Sequence, residues 1–154
     1  VVAAGGIGDA RGFAAALALG ACGIQMGTRF LATDESSCHP HYKERILQAG
    51  ESDTVVTGDI SGKPMRVLRN RFTDEWLQKE RAGIPIEELL EFGVGKIRLA
   101  ICDGEVNMGS MPSGQVTGMI RSVVGVQELI EEMVRESRKI LSSFDSWYEL
   151  PPSS

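Results

Sequence analysis

Two glycine turns, each closing a short apolar run, constrain this chain more than any other feature. The first is Val1-Val2-Ala3-Ala4-Gly5-Gly6-Ile7-Gly8 and the second is Gly23-Ile24-Gln25-Met26-Gly27-Thr28-Arg29. Between them Asp9 stands at a helix N-cap position, and Phe13, Leu17 and Ala21 recur at helical spacing until Gly20 and Gly23 punctuate the end. The order strand, helix, strand makes a parallel pair, because parallel strands need a long crossover between them. It also brings both glycine-rich strand ends to one edge of the sheet, where exposed backbone N–H groups can grip an anion. A phosphate is the natural guest.

At 154 residues the chain can bury one substantial core. Its formal net charge of -5 argues against a nucleic-acid surface, which needs clustered Lys and Arg. The densest basic stretch carries Lys63, Arg66, Arg69 and Arg71 with alternating apolar residues, the pattern of a solvated strand face. Three cysteines, Cys22, Cys38 and Cys102, stand at unrelated spacings and form no disulfide framework, so a reducing cytoplasmic setting is the default expectation. The apolar run over 13–24 contains two glycines and is too short for a membrane span, and no secretory signal opens the chain. Residue 1 already falls inside a strand pattern, which reads as an internal start.

The remaining periodicity predicts a short central strand over 22–27, covered on both faces, and a helix toward residue 50 with Pro40 in its first turn and Ile46 and Leu47 on its buried side. Strands over 54–57 and 65–68 flank a glycine-rich turn at 58–62, as in a hairpin. Helices follow over 73–81 and 85–91, stopped by Gly83 and Gly93, while 97–102 is ambiguous between strand and helix. A glycine-punctuated loop over 103–118 leads to an amphipathic helix over 127–144 built on Leu129, Ile130, Met133, Ile140 and Leu141. The tail over 145–154 is expected to fray.

The glycine pair admits three readings. In a β/α barrel, the loops after the last two strands frequently hold a phosphate, and Gly5, Gly6, Gly27 and the Thr28 hydroxyl suit that role. The stretch from Gly6 to Gly12 also has the loose form GxGxxxG of a dinucleotide turn, with Arg29 available for a phosphorylated ribose, although the spacing departs from GxGxxG. The third reading is structural: glycines that only permit tight turns and close helix packing.

The stretch Ala3-Ala4-Gly5-Gly6-Ile7-Gly8-Asp9-Ala10-Arg11-Gly12, the run Ala14-Ala15-Ala16-Leu17-Ala18-Leu19-Gly20-Ala21 and Gln25-Met26-Gly27-Thr28-Arg29-Phe30-Leu31 together resemble the nitronate monooxygenase family, formerly the 2-nitropropane dioxygenases. Flavin-dependent enoyl-ACP reductases share the pattern. The segments Gly104-Glu105-Val106-Asn107-Met108-Gly109-Ser110 and Pro112-Ser113-Gly114-Gln115-Val116-Thr117-Gly118 resemble the family's glycine-rich segment near its C-terminus.

The resemblance implies an α/β fold: the C-terminal portion of a TIM (β/α)8 barrel that holds FMN, with an inserted small α/β domain. Residues 1–50 would supply the last strands and helices of the barrel, 51–111 the small domain, 112–144 a loop and helix returning to the barrel, and 145–154 a tail. It assigns the flavin phosphate to Gly5, Gly6, Gln25, Met26, Gly27 and Thr28, and puts Gln115 at the flavin or substrate face, with an amide that ties the loop to the backbone as the competing role. It assigns no catalytic residue here, because the family's histidine lies upstream of the matching part. A complete barrel takes ~250 residues, so the rest is expected from a missing N-terminal segment or from a partner chain, a homo-oligomer included.

The implied activity is FMN-dependent oxidation of alkyl nitronates with molecular oxygen, acting on a small-molecule substrate with no nucleic acid or membrane involved. Two alternatives stand: an NAD(P)H-dependent enoyl-ACP reductase of fatty acid synthesis, and a non-catalytic fragment that binds a phosphate ligand. Cys38-His39-Pro40-His41 lacks the second ligand cluster a structural zinc site needs, so no metal is expected. Asp103 and Glu105 read as a solvated turn, and Met108, Met111, Met119 and Met133 as adaptable packing.

Overall fold

A computed structural model describes residues 1–144. Strands β1 (Val2–Ala4) and β2 (Gly23–Gln25) pair in parallel with Ala3 opposite Ile24, and helix α1 (Ala10–Ala18) makes the crossover. Asp9 caps α1: its carboxylate accepts from the N–H groups of Arg11 at 3.0 Å and Gly12 at 3.2 Å. Burial alone would raise the Asp9 pKa, but the hydrogen bonds and charge of Arg11 and Gly12 outweigh it and hold the carboxyl below its ordinary value. Alanines on α1 let it lie close against α7 (Val126–Ser143), where Ile7, Ala16, Leu129 and Met133 form one buried cluster.

Ala3 and Ile24 pack toward that cluster, whereas Val2 and Gln25 point away and are exposed. The predicted strand over 22–27 is therefore shorter and barer than its sequence suggests. Met26 leaves the ladder and Gly27 starts α2 (Thr28–Leu31), while α1 and α7 both cover the same face. Along α7 the buried line is Leu129, Met133 and Ser137; Ile130 lies off it and is exposed.

Helix α3 (Pro40–Gln48) starts at its proline as predicted, with Tyr42 and Ile46 fully buried. The hairpin also forms as read: β3 (Thr54–Thr57) pairs antiparallel with β4 (Met65–Leu68). Then come α4 (Arg71–Ala82), ended by Gly83 at φ +67°, α5 (Ile86–Gly93) and α6 (Lys96–Ile101). The ambiguous stretch is thus helical, and tertiary packing decides it: Ala100 is fully buried in the cluster of Tyr42, Ile46, Leu68, Met111 and Ile120. Phe72, Trp76 and Leu89 form a third cluster with Ile84 and Phe92. The predicted tail at 145–154 lies outside the described residues. No described helix is long and apolar enough to cross a membrane.

Candidate functional site

The glycines of both strand ends line open space. Gly5 and Gly6 have φ of +87° and +72°, a left-handed turn that glycine adopts without Cβ strain. A Cβ built on Gly5, Gly6 or Gly27 meets no atom within 4 Å. The N–H groups of these three residues donate to no carbonyl or side chain among the described residues, so their donors remain free for an anion. Gln25 is exposed. Met26 turns its side chain into the cluster beneath α1 and offers the site only its backbone.

Thr28 connects this edge to a segment far along the chain. Its Oγ1 accepts from the N–H of Gly114 at 2.9 Å, leaving the hydroxyl hydrogen to donate elsewhere. Two further bonds hold the same loop: Ser113 N–H donates to the Arg66 carbonyl at 3.1 Å, and the Tyr42 hydroxyl donates to the Pro112 carbonyl at 2.9 Å. Burial pushes the Tyr42 phenol well above its ordinary pKa, so it stays a donor through the physiological range. A 3-10 turn over Gln115–Met119 follows, closed by Thr117 onto the Gly114 carbonyl. Gly118 then lies against the backbone of Glu51, where a Cβ would come within 2.7 Å of Cα.

Gly27, Thr28, Tyr42, Arg66, Ser113 and Gly114 consequently line one cleft. Ser113 is 4% exposed and its hydroxyl has no hydrogen-bond partner among the described residues, although the Tyr42 phenol lies beside it. Arg66 is half-buried and donates to the Thr54 hydroxyl at 3.0 Å. Gln115 is exposed and its amide hydrogen-bonds none of the described residues, so the loop is tied by Tyr42, Thr28 and Arg66 instead. Sequence reasoning missed Tyr42, Arg66 and Ser113 as site residues. Tyr42 is one helical turn before buried Ile46, a spacing that signals its burial but not its bond.

The arginine that a dinucleotide turn would recruit is engaged elsewhere. Arg29 is 6% exposed and donates to the Ala32 carbonyl at 3.0 Å; burial lowers its pKa while the Glu132 charge opposes that fall. His39 accepts from His41 N–H at 3.2 Å as the cap of α3, and His41 Nδ1 lies 3.2 Å from the Gly104 carbonyl. Among the described residues no three His, Cys, Asp or Glu side chains converge as a metal site. Glu105 closes its own turn by accepting from Asn107 and Met108 N–H, which holds its carboxyl below the usual range.

A family model described as nitronate monooxygenase matches residues 1–136. A probable nitronate monooxygenase from Staphylococcus saprophyticus is 39% identical, over 92% of this chain and 40% of its own length. A carboxyl-CoA dehydrogenase from Mycobacterium tuberculosis is 33% identical, over 89% of this chain and 49% of its own length. The structure of FabK from Thermotoga maritima superposes with a TM-score of 0.91 and 42% identity, covering 96% of this chain and 47% of that one. The chain thus spans less than half the length of each of these relatives.

Proposed function

The chain belongs to the nitronate monooxygenase family, and from that premise we propose that it is the phosphate-holding part of an FMN-dependent oxidoreductase that oxidises alkyl nitronates with molecular oxygen. The observation that carries this reading is the Gly114 to Thr28 hydrogen bond, which joins the predicted phosphate edge to the predicted flavin-face loop. In this reading β1, α1, β2 and α7 are the last part of a (β/α)8 barrel, the segment over 51–111 is the small domain, and 112–144 returns to the barrel. The bare face of β1 and β2 is where further strands would pack.

The residues present fit the phosphate of FMN. Among the described residues the N–H groups of Gly5, Gly6 and Gly27 are unpaired and no atom stands beside these glycines, so with the Thr28 hydroxyl they offer a donor set suited to a dianion. Bound FMN would supply the redox chemistry, which the side chains themselves lack. Gly5, Gly6 and Gly27 bind the phosphate by backbone; Thr28 adds its hydroxyl and at the same time orients Gly114. Tyr42 fixes the Pro112 carbonyl and thereby sets where Ser113 and Gln115 stand. Arg66 places a positive charge on the cleft wall, where it favours an anionic substrate such as a nitronate.

A second reading, reduction of an enoyl thioester, is favoured by the FabK likeness. Oxygen consumption by the full gene product with an alkyl nitronate, compared with NADH oxidation in the presence of a crotonyl thioester, separates the two. Nitronate-dependent oxygen uptake is the expected result; thioester-dependent NADH oxidation without it selects the reductase. Titrating the 154-residue chain with FMN tests the cradle separately. Saturable binding there rules out a fragment unable to hold its ligand.

A further inference from the structure

A second cleft lies on the other side of the β3–β4 hairpin. Successive side chains of a strand point to opposite faces, so Arg66 lines the cleft at Thr28 while Met65 lines this one. Phe72 and Trp76 form part of its lining, and Leu90, Val94 and Ile97 from α5 and α6 contribute further apolar surface. Leu90, Val94 and Ile97 are 48%, 76% and 42% exposed, so no described residue covers this wall.

Local geometry builds the cleft rather than leaving it as a gap. Gly93 has no side chain where a Cβ would sit 2.8 Å from the Trp76 ring, which allows the indole to lie flush against α5. Trp76 is 8% exposed, its Nε1 has no hydrogen-bond partner among the described residues, and it is held by packing on Phe72 and Phe92. At the hairpin end, Gly58 turns at φ +87° and its N–H donates to Glu80 of α4 at 3.0 Å. That bond fixes the turn carrying Ser61 and Lys63. Among the described residues Lys63 is the only charged one in the lining, in a chain of net charge -5. Lys96 adds a second positive charge nearby, 5.7 Å from the centre of the Phe72 ring.

We propose that this cleft binds an aliphatic chain ending in a carboxylate, with the chain against Trp76, Leu90, Val94 and Ile97 and the carboxylate at Lys63. The apolar wall supplies burial for a chain of methylenes, and Lys63, with Lys96 nearby, favours an anionic head over a neutral one. The site is separate from the flavin cleft and does not depend on the activity proposed above.

The test uses the 154-residue chain carrying Trp147→Phe, in which Trp76 is the remaining tryptophan and serves as reporter, titrated with decanoate, with decanol and with acetate. Decanoate is expected to change the fluorescence saturably at one site, decanol to bind about three- to fivefold more weakly for lack of the charge contact, and acetate to have no effect. Lys63→Met should bring decanoate down to the affinity of decanol. Ile97→Asp, at an exposed position that leaves folding intact, should weaken both chains by more than about tenfold. The proposal is overturned if decanoate gives no saturable change, if decanol binds as tightly, or if Ile97→Asp titrates like the parent.

Discussion

Gly27→Val separates the ligand cradle from the fold. The backbone there, at φ -97° and ψ -70°, is open to L residues, and a Cβ meets nothing within 4 Å. The fold therefore loses only the modest preference for glycine at an N-cap, about 0.5 kcal/mol, or roughly 1–2 °C in Tm. The proposed phosphate would take the empty space beside Gly27, and a stiff β-branched side chain would occupy it. Removing one charge-assisted contact of about 1.5–3 kcal/mol predicts FMN affinity lower by about 10- to 100-fold. Gly5→Ala provides the contrast, because φ of +87° costs an alanine about 1–2 kcal/mol in the fold itself. Thermal melting without ligand and flavin-fluorescence titration, both on the full gene product, read the two effects. FMN affinity within twofold of the parent in Gly27→Val would falsify the phosphate assignment; a fall in Tm as large as that of Gly5→Ala would show that the glycine serves the backbone instead.

Tyr42→Phe removes the bond to the Pro112 carbonyl while keeping a fully buried ring; a loss of about 1 kcal/mol, or 2–4 °C in Tm, is expected together with weaker FMN binding. An unchanged melting temperature and affinity would mean that the loop does not rely on the phenol. Gly118→Ala forces a Cβ against the Glu51 backbone at 2.7 Å, so a loss of about 1–3 kcal/mol is expected in denaturant unfolding, and a neutral result would show that the 3-10 turn can shift freely. Asp9 has a folded pKa below the ordinary aspartate value, so its stabilisation is present above that ordinary value and is lost as the pH falls through the depressed one. Asp9→Ala should cost about 1 kcal/mol at pH 7 and flatten that acid limb; a mutant curve parallel to the parent's below pH 4 would remove the cap from the explanation.

Local chemistry made much of the fold legible. Asp9, Pro40, Gly83 and the glycine-rich turn at 58–62 each act within a few residues, and each stands where the sequence indicates. Boundaries moved where a side chain acts over a longer reach. Helix α4 begins two residues before its predicted start because Asn70 and Thr73 cap each other reciprocally, a pairing outside the usual Ser/Thr and Glu/Gln form. The stretch over 97–102 and the exposure of Ile130 depend on which neighbour covers which face, and periodicity carries no such information. The glycine turn of the candidate site could be read because the positive φ at Gly5 and Gly6 restricts residue type. The rest could not: Tyr42 meets Pro112 across 70 residues, and Thr28 meets Gly114 across 86.

Those long-range bonds give the cleft a coupling that neither segment has alone. The short segment Pro112, Ser113 and Gly114 is held at successive residues by α3, β4 and α2, so none of the three supports can move without displacing the others. Thr28 is used twice, accepting from Gly114 while its hydroxyl hydrogen stays available to an anion. A phosphate that draws on that hydrogen also polarises the oxygen receiving the Gly114 N–H. Ligand binding at the glycine edge should therefore tighten the loop that carries Ser113 and Gln115, and protection of the Gly114 amide from hydrogen exchange is the quantity that should rise with FMN.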